Sequence, residues 1–458
     1  MAERENQTRS TDELDGFPVV RRDVAAIDVG SEQHWVCAPT RSGAGREVAV
    51  FAATTPGVEQ LIAWLHERRV MSVALESTGV YWIVPHEMLE RAGFAVQLVD
   101  TRELSRVPGR PKSDRLDCEW IQRLHSCGLL RGAFRPGEQV CMLRTLVRDK
   151  GRLVAEQSDW LRRMQKSLDQ MNVRVHRAVA DLEGATGMAI VRAIVAGERN
   201  PQRLAQLRDV RCQKSEAEIA EQLTGHWRED HLFSLEQGLK MYDAIAERIQ
   251  AYEREILHYL AAITPADRRD DQAPPPPGPK ARTMRRRGQD PLRQALYRMS
   301  GADLTTIDAI GVETVSVVMS EYGPDLARFP TEKQFVQHVG LAPHRPTSGG
   351  KPVKKRKKPA SATARVGAAL RMAATSMRRS QTALGAYYRR TAQRLGSDVA
   401  VFATARKLAQ YIYRLLRWGH PYVDEGVAAY EKRYQAARLK GLAISAKRLG
   451  YVLVSVET

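Results

Sequence analysis

The chain has 458 residues, 43% of them hydrophobic and 27% charged, with a formal net charge of +18. That is enough chain for two or three domains with cores of their own, in a composition ordinary for a soluble globular protein. No apolar run approaches the roughly 20 residues of a membrane span, which excludes a helical membrane-spanning protein, and no membrane partner is expected. The polar opening MAERENQTRSTDELDG has no apolar signal region, so a cytoplasmic protein is the expectation. The excess of Lys and Arg favours a polyanionic partner, of which nucleic acid is the commonest. The cysteines (Cys37, Cys118, Cys127, Cys141 and Cys212) form no C-x-x-C pair and no zinc spacing, and read as reduced thiols.

After a polar tail over residues 1–22, residues 23–136 alternate strand and helix patterns. VAAIDVG, HWVCAPT and EVAVFAATT read as strands, GVEQLIAWLHERR as a helix and SVALEST as a buried strand. GVYWIVPHEMLERAG reads as a helix despite Pro85, AVQLVD as another buried strand, and a helix then opens at Asp114. Alternation of this kind predicts an α/β domain with a mixed sheet.

Over residues 137–265 the pattern becomes helical. Leu143, Leu146, Val154, Leu161, Met164, Leu168 and Met171 recur at threes, fours and their sums, predicting a long amphipathic, coiled-coil-like helix to about Arg177. A second long helix is expected from Ser234 to Leu260. The two suit an intramolecular antiparallel hairpin and a dimer seam equally well. Residues 266–290, with APPPPGP and RTMRRRG, form a basic, Pro-rich linker that can be neither helix nor central strand. Residues 291–430 are largely helical, and 431–458 are left as a C-terminal tail.

Asp28 closes the first predicted strand and Glu76 a later one; both precede small or polar residues. Acids at strand ends of an α/β sheet point into the crevice where ligands bind. Asp114 and Asp117, three residues apart, project from one helix face. Four carboxylates in one crevice repel one another unless cations neutralise them. Hard oxygen ligands without His or Cys suit Mg²⁺ or Mn²⁺. Two such ions, about 3.5–4 Å apart, clamp the attacking and leaving oxygens of a phosphodiester. Taken singly, each acid is explained as well by a structural role: Asp114 as an acid at a helix N-terminus, Asp117 as a partner of Arg115 or Arg123, Asp28 as a turn residue. The ordered set is more specific and resembles the ribonuclease H/RuvC arrangement. Trp35, Tyr81 and Trp82, near these acids, read as core side chains rather than base-stacking platforms.

The blocks AIDVGSEQHWVC, ALESTGVYW and KSDRLDCEWI resemble those of a DEDD transposase of insertion sequence family 110, related to Piv-type DNA invertases. IDAIGVETVSVVMSEYG, FPTEKQFVQHVGLAPHRPTSGG and ALRMAA resemble that family's C-terminal transposase domain. The resemblance implies a RuvC-like domain with Asp28, Glu76, Asp114 and Asp117 as the acidic set, a coiled-coil segment, and a mainly α C-terminal domain with Ser348 as nucleophile. It also implies excision and insertion of a mobile element through a covalent 5′-phosphoserine, at the bacterial nucleoid. A guide (bridge) RNA would pair with donor and target DNA. The active site would be shared within a homo-oligomer, dimer or tetramer, with acids from one protomer and serine from another.

The residues around Ser348 suit that role. A serine ester of a DNA phosphate stores the energy of the cleaved bond, and metal held by the acids would lower the hydroxyl's pKa. Gly349 and Gly350 let backbone approach a phosphate; the same Ser-Gly-Gly stretch also suits a plain turn. KPVKKRKK over residues 351–358 contributes Lys351, Lys354, Lys355, Arg356, Lys357 and Lys358, a run expected to contact the phosphate backbone. Where the family opens its next helix with an Ile-Ser-Lys-x-Gly-like segment, this chain has PASATARVGAALR. TTIDAIGVETVSVVMSEYG reads either as a helix-hairpin-helix, aiming N–H groups after Gly311 at a phosphate, or as a plain packing unit; Ala309 stands where the first glycine of such a hairpin is usual. Two rivals to a transposase are a hydrolytic junction nuclease, which leaves the Ser-Gly-Gly block unexplained, and a non-catalytic nucleic-acid-binding regulator, against which the full set of acids argues.

Overall fold

The run Val24-Ala-Ala-Ile-Asp-Val is apolar on both faces, as a strand covered by helices on both sides must be. It forms β1 (Val24–Val29), the centre of a five-stranded sheet. The computed structural model describes residues 18–454 apart from 44, 78, 100–112, 266–290, 344–346, 349–350, 353–363 and 423, and only the backbone of 347, 348, 351, 352 and 364. The chain divides into two units, Met1–Arg135 and Pro136–Thr458.

In the first unit, Gly30 turns the chain out of β1. Its N–H donates to the Gln33 carbonyl at 3.0 Å, and a Cβ would stand 2.6 Å from that oxygen, which only glycine avoids. β2 (Gln33–Pro39) and β3 (Arg46–Ala52) follow as antiparallel hairpins. Helix α1 (Thr55–Glu67) leads to β4 (Ser72–Glu76), and α2 (Ile83–Arg91) leads to β5 (Ala95–Val99); β4 lies parallel to β1, and β5 parallel to β4. Pro85 sits in the first turn of α2, where a missing N–H costs nothing. The strand order is β3-β2-β1-β4-β5.

Alternation sorts each strand onto two faces. Ala25, Ile27, Val29, Val73 and Leu75 pack with Leu61 and Leu65 of α1 and Leu89 of α2. Ala26, Ala74 and Val99 face the other way, onto Ile121 and Leu124 of α3 (Asp114–Ser126). The Ser113 hydroxyl caps α3 by accepting from the Leu116 N–H at 3.3 Å.

The second unit is mostly helical. α4 (Glu138–Gln170) ends sooner than its apolar spacing predicts, and a group of short helices follows: α5 (Val175–Ala178), α6 (Ala185–Val195), α7 (Pro201–Ala205) and α8 (Glu216–Leu223). Their core of Val175, Ile190, Val191, Leu204, Ile219 and Leu223 closes on Met164 and Leu168 of α4. α9 (Glu229–Ile263) returns along α4. Tyr259 donates to the Gln139 carbonyl at 2.9 Å, Lys150 meets Glu253 at 3.0 Å, and Gln157 donates to the Tyr242 carbonyl at 3.4 Å. Those pairings run in opposite senses along the two helices, so the long helices form an antiparallel pair within one chain.

The remaining helices are α10 (Pro291–Ser300), α11 (Val312–Tyr322), α12 (Glu332–His338), α13 (Ala364–Ser376), α14 (Ala383–Leu395), α15 (Ser397–Trp418) and α16 (Gly426–Arg448). α16 runs through most of the stretch expected as a C-terminal tail. It has no buried residue, which is why no apolar periodicity announces it. Buried ion pairs tie this region to the long helices. Arg148 grips Glu321 with two bonds of 2.8 Å, and Arg144 donates to the Glu321 carbonyl at 2.6 Å. The Lys150 ammonium also reaches Glu313 at 2.9 Å. Burial alone would lower its pKa, but bonds to Glu313 and Glu253 raise it on balance and keep it charged.

At the edge of the first unit, His125 of α3 is buried against Ser72 at 2.9 Å. The Ser72 hydroxyl donates to the Ala95 carbonyl, so the imidazole Nε2–H donates to Ser72. Burial, with Arg21 adding to it, lowers the His125 pKa from 6.5 to about 4. The unfolded chain therefore binds this proton first as pH falls. The stability it confers is full above pH 6.5 and is lost progressively toward pH 4, on the order of 2 kcal/mol. The melting temperature should accordingly drop between pH 7 and pH 4.5, and drop less in His125→Gln, which keeps the donor to Ser72. Parallel pH curves for the two proteins would contradict the assignment.

Candidate active site and nucleic-acid interface

The pairing of β1 with β4 sets Ile27 opposite Leu75. One residue further, at the C-terminal ends of both strands, the same register brings Asp28 beside Glu76. Both lie on the face of Ala26 and Ala74, two residues earlier, which is the face that α3 covers. α3 runs antiparallel to β1: Gln122 donates to the Val24 carbonyl at 3.1 Å, and the Val20 N–H donates to the Ser126 carbonyl at 2.9 Å. Its first turn therefore points toward the strand ends that carry the acids. Asp28 is four residues, about 13 Å, along β1 from Val24. Asp114 is eight residues, about 12 Å, along α3 from Gln122. The two arrive at similar height. Asp117 and Asp114 precede Ile121 by four and seven residues, the spacing of one helix stripe.

Electrostatics agrees with that placement. Burial is the main reason the Cys118 thiol is pushed up; the neighbouring Cys37, Glu119 and Asp28 add to it, so the field of Asp28 reaches α3. Asp28, Glu76 and Asp117 are half-buried and Asp114 is exposed. Arg115, one expected partner of Asp117, reaches Glu119 instead at 3.1 Å. Among the described residues, no group of three or more Asp, Glu, His or Cys side chains is arranged to hold a metal ion. The fold thus brings the four acids to one end of one face without setting them at ligating distance of a common point. Of the nearby aromatics, Trp35 pairs with Asp28 across the hairpin and is half-buried, Trp82 lies beneath Arg135, and Tyr81 is 48% exposed, which is not a core position.

Ser348 belongs to the second unit. It ends a short strand (Thr347–Ser348) that pairs antiparallel with Lys351–Pro352, Ser348 opposite Lys351. These two short strands flank Gly349 and Gly350 in sequence. Lys354, Lys355, Arg356, Lys357, Lys358, Gly349 and Gly350 lie outside the described residues.

Gly311 is the N-cap of α11. The segment before it is a single 3-10 turn (Leu304–Thr306) rather than the helix a full helix-hairpin-helix requires. Ala309 holds φ +66, the left-handed conformation that glycine adopts without strain. The turn is pinned from two sides. Arg293 is buried against Asp303 and donates to Thr305 at 3.0 Å, and the Tyr422 hydroxyl donates to Asp308 at 2.7 Å. Glu313 in the first turn of α11 would repel a phosphate, but Lys150 offsets its charge.

The first unit is thus a mixed sheet with acids at its central strand ends, and the second a mostly helical unit that carries Ser348 on a short strand. A family profile of DEDD transposases of the IS110 type, described as a transposase, matches residues 25–173, which contain all four acids. A second, described as the transposase IS116/IS110/IS902 family, matches residues 301–389, which contain Gly311 and Ser348. The chain belongs to the IS110 family of transposases. Such a protein has DNA as its partner, and DEDD transposases generally use divalent metal ions. No curated protein matches the chain. Among the described residues no helix is long and apolar enough to cross a membrane.

Sequence reasoning passed over one more feature, a cleft in which Phe402, Arg406 and Gln410 project from one stripe of α15. The available signal was Phe402, Arg406 and Gln410 at four-residue spacing, with Lys407 next to Arg406, in one amphipathic helix. At the α11 turn, Ala309→Gly should relieve strain and raise stability by about 0.5–1 kcal/mol, read as a higher melting temperature. An unchanged or lower value would show that Ala309 is not strained.

Proposed function

We propose that the chain excises and inserts a mobile DNA element by cutting and rejoining strands, with Ser348 forming a covalent 5′-phosphoserine and Asp28, Glu76, Asp114 and Asp117 holding Mg²⁺ or Mn²⁺. The observation that carries this reading is the register that sets Asp28 beside Glu76 on the face covered by α3. The strand order and mixed pairing are those expected of a ribonuclease H/RuvC-like domain. An all-carboxylate donor set at the mouth of a sheet, three of its four members half-buried, fits hard divalent cations and no softer metal. Such ions, when bound, neutralise charge on the attacking and leaving oxygens of a phosphodiester.

The chain's own groups account for the rest. The Ser348 Oγ forms a bond to phosphorus, the bond from phosphorus to the 3′ oxygen breaks, and the hydroxyl proton ends on the departing 3′-OH. The ester keeps the energy of the broken bond, so attack by another 3′-OH reverses the step and releases Ser348. Residues 351–358, with six basic side chains, hold the strand's backbone. A net charge of +18 leaves basic surface for a second polyanion; a guide RNA that pairs donor with target is the partner we assign, acting in a homo-oligomer.

Ser348→Ala should abolish the covalent protein–DNA adduct. Asp28→Asn should lower strand cleavage by more than about 10³-fold while DNA binding persists. Trapping on denaturing gels reads the first, and end-labelled cleavage the second. Free 5′-phosphate ends from the unaltered chain, with no adduct at any time, would favour a hydrolytic junction nuclease. Full recombination by Asp28→Asn would remove the acids from the chemistry.

A further inference from the structure

A cleft of about 570 Å³ opens where residues 340–343 pass over α14 and α15. Its walls are Leu341, Tyr387 of α14, and Phe402, Arg406, Lys407 and Gln410 of α15. Phe402 is 47% exposed, with Arg371 5.1 Å from its ring centroid; the Lys407 ammonium lies 4.6 Å from the centroid of Tyr387. Burial pulls the Lys407 pKa below the ordinary lysine range, and Arg433 and Arg414 add to that, with Glu425 opposing. An ammonium crowded by like charges gains from an arriving anion. Among the described residues, Asp398 is the one acid lining the cleft. A larger cavity of about 750 Å³ among α5–α8 is different: its Arg211 is engaged by Asp209 and its Lys214 by the Arg177 carbonyl.

Aromatic rings set beside cations are the chemistry that holds a nucleotide, the base stacking and the phosphate paired. The volume is in the range of sites for small organic ligands. Pro343 is five residues before Ser348, a reach of at most about 17 Å, or roughly five nucleotides of stacked strand at about 3.4 Å each. We propose that the cleft is a single-nucleotide site for the DNA strand that is cut, with an unpaired base against Phe402 and Tyr387 and its phosphate against Arg406 and Lys407. The choice of that strand rests on the proposed role of Ser348; nucleotide binding in the cleft does not.

The test uses the full chain carrying Ser348→Ala, which cannot cut, and a short single-stranded DNA containing one fluorescent purine analogue. Stacking in the cleft should quench the analogue. Phe402→Ala should abolish the quench and weaken binding about 10-fold, whereas Phe402→Tyr should keep both. Arg406→Gln should weaken binding and lower its salt slope by about one counterion. Wild-type quenching and affinity in both Phe402→Ala and Arg406→Gln would overturn the proposal, as would losses confined to an RNA of the same sequence. If no covalent adduct ever forms in the unaltered chain but quenching still follows Phe402, the serine reading fails and the cleft stands.

Discussion

The parallel pairing of β1 with β4 is the constraint on which the first unit is built. Because the period of a strand is two, the register that buries Ile27 and Leu75 against α1 and α2 also sends Asp28 and Glu76 to the opposite face. A slip of either strand by one residue would turn its carboxylate into the leucine core and its apolar side chains to the opposite face. Core packing and acid placement are therefore one choice. α3 completes it: Ile121 and Leu124 hold the helix on Ala26 and Ala74, small residues that let it approach closely. Its antiparallel direction then delivers Asp114 and Asp117 to the same end.

The second unit solves a different problem, holding long helices and a C-terminal region in fixed relation with few apolar residues. Seven-residue steps along α4 place Leu143, Lys150, Gln157 and Met164 toward α9, and two of those four are polar. Lys150 joins α4, α9 and the start of α11 at one ammonium, and Glu321 joins α4 to the end of α11. Pairs with one buried member, Lys150 or Glu321, add little net stability, but removing the partner leaves that buried charge uncompensated. They make the alignment of helices specific, and it is on this frame that the serine hairpin and the α15 cleft are carried.

Much of the fold was legible because burial leaves periodic traces. Each strand of the sheet follows an apolar run, and Asp28 and Glu76 stand out as acids ending such runs. α3 was announced by the acids Asp114 and Asp117 at its start. The short helices α5–α8 were not, because their apolar residues serve a small shared core and break the spacing that α4 sets. The choice between hairpin and dimer seam was also closed to the sequence, since an apolar stripe does not name its partner; the hydrogen bonds of Tyr259 and Gln157 do. The strain at Ala309 is the reverse case: the sequence showed a departure from glycine, and the backbone shows its consequence. The α15 cleft is assembled from residues far apart in the chain, and no local motif marks it.

Strand cleavage of this kind requires the four acids to converge around divalent ions when DNA is bound. Mn²⁺ binding to the protein–DNA complex, measured by electron paramagnetic resonance, tests this without reference to turnover. Saturable Mn²⁺ sites that are lost in Asp28→Asn and in Glu76→Gln, with DNA still bound, are the predicted result. Equal Mn²⁺ occupancy in all three proteins would contradict it.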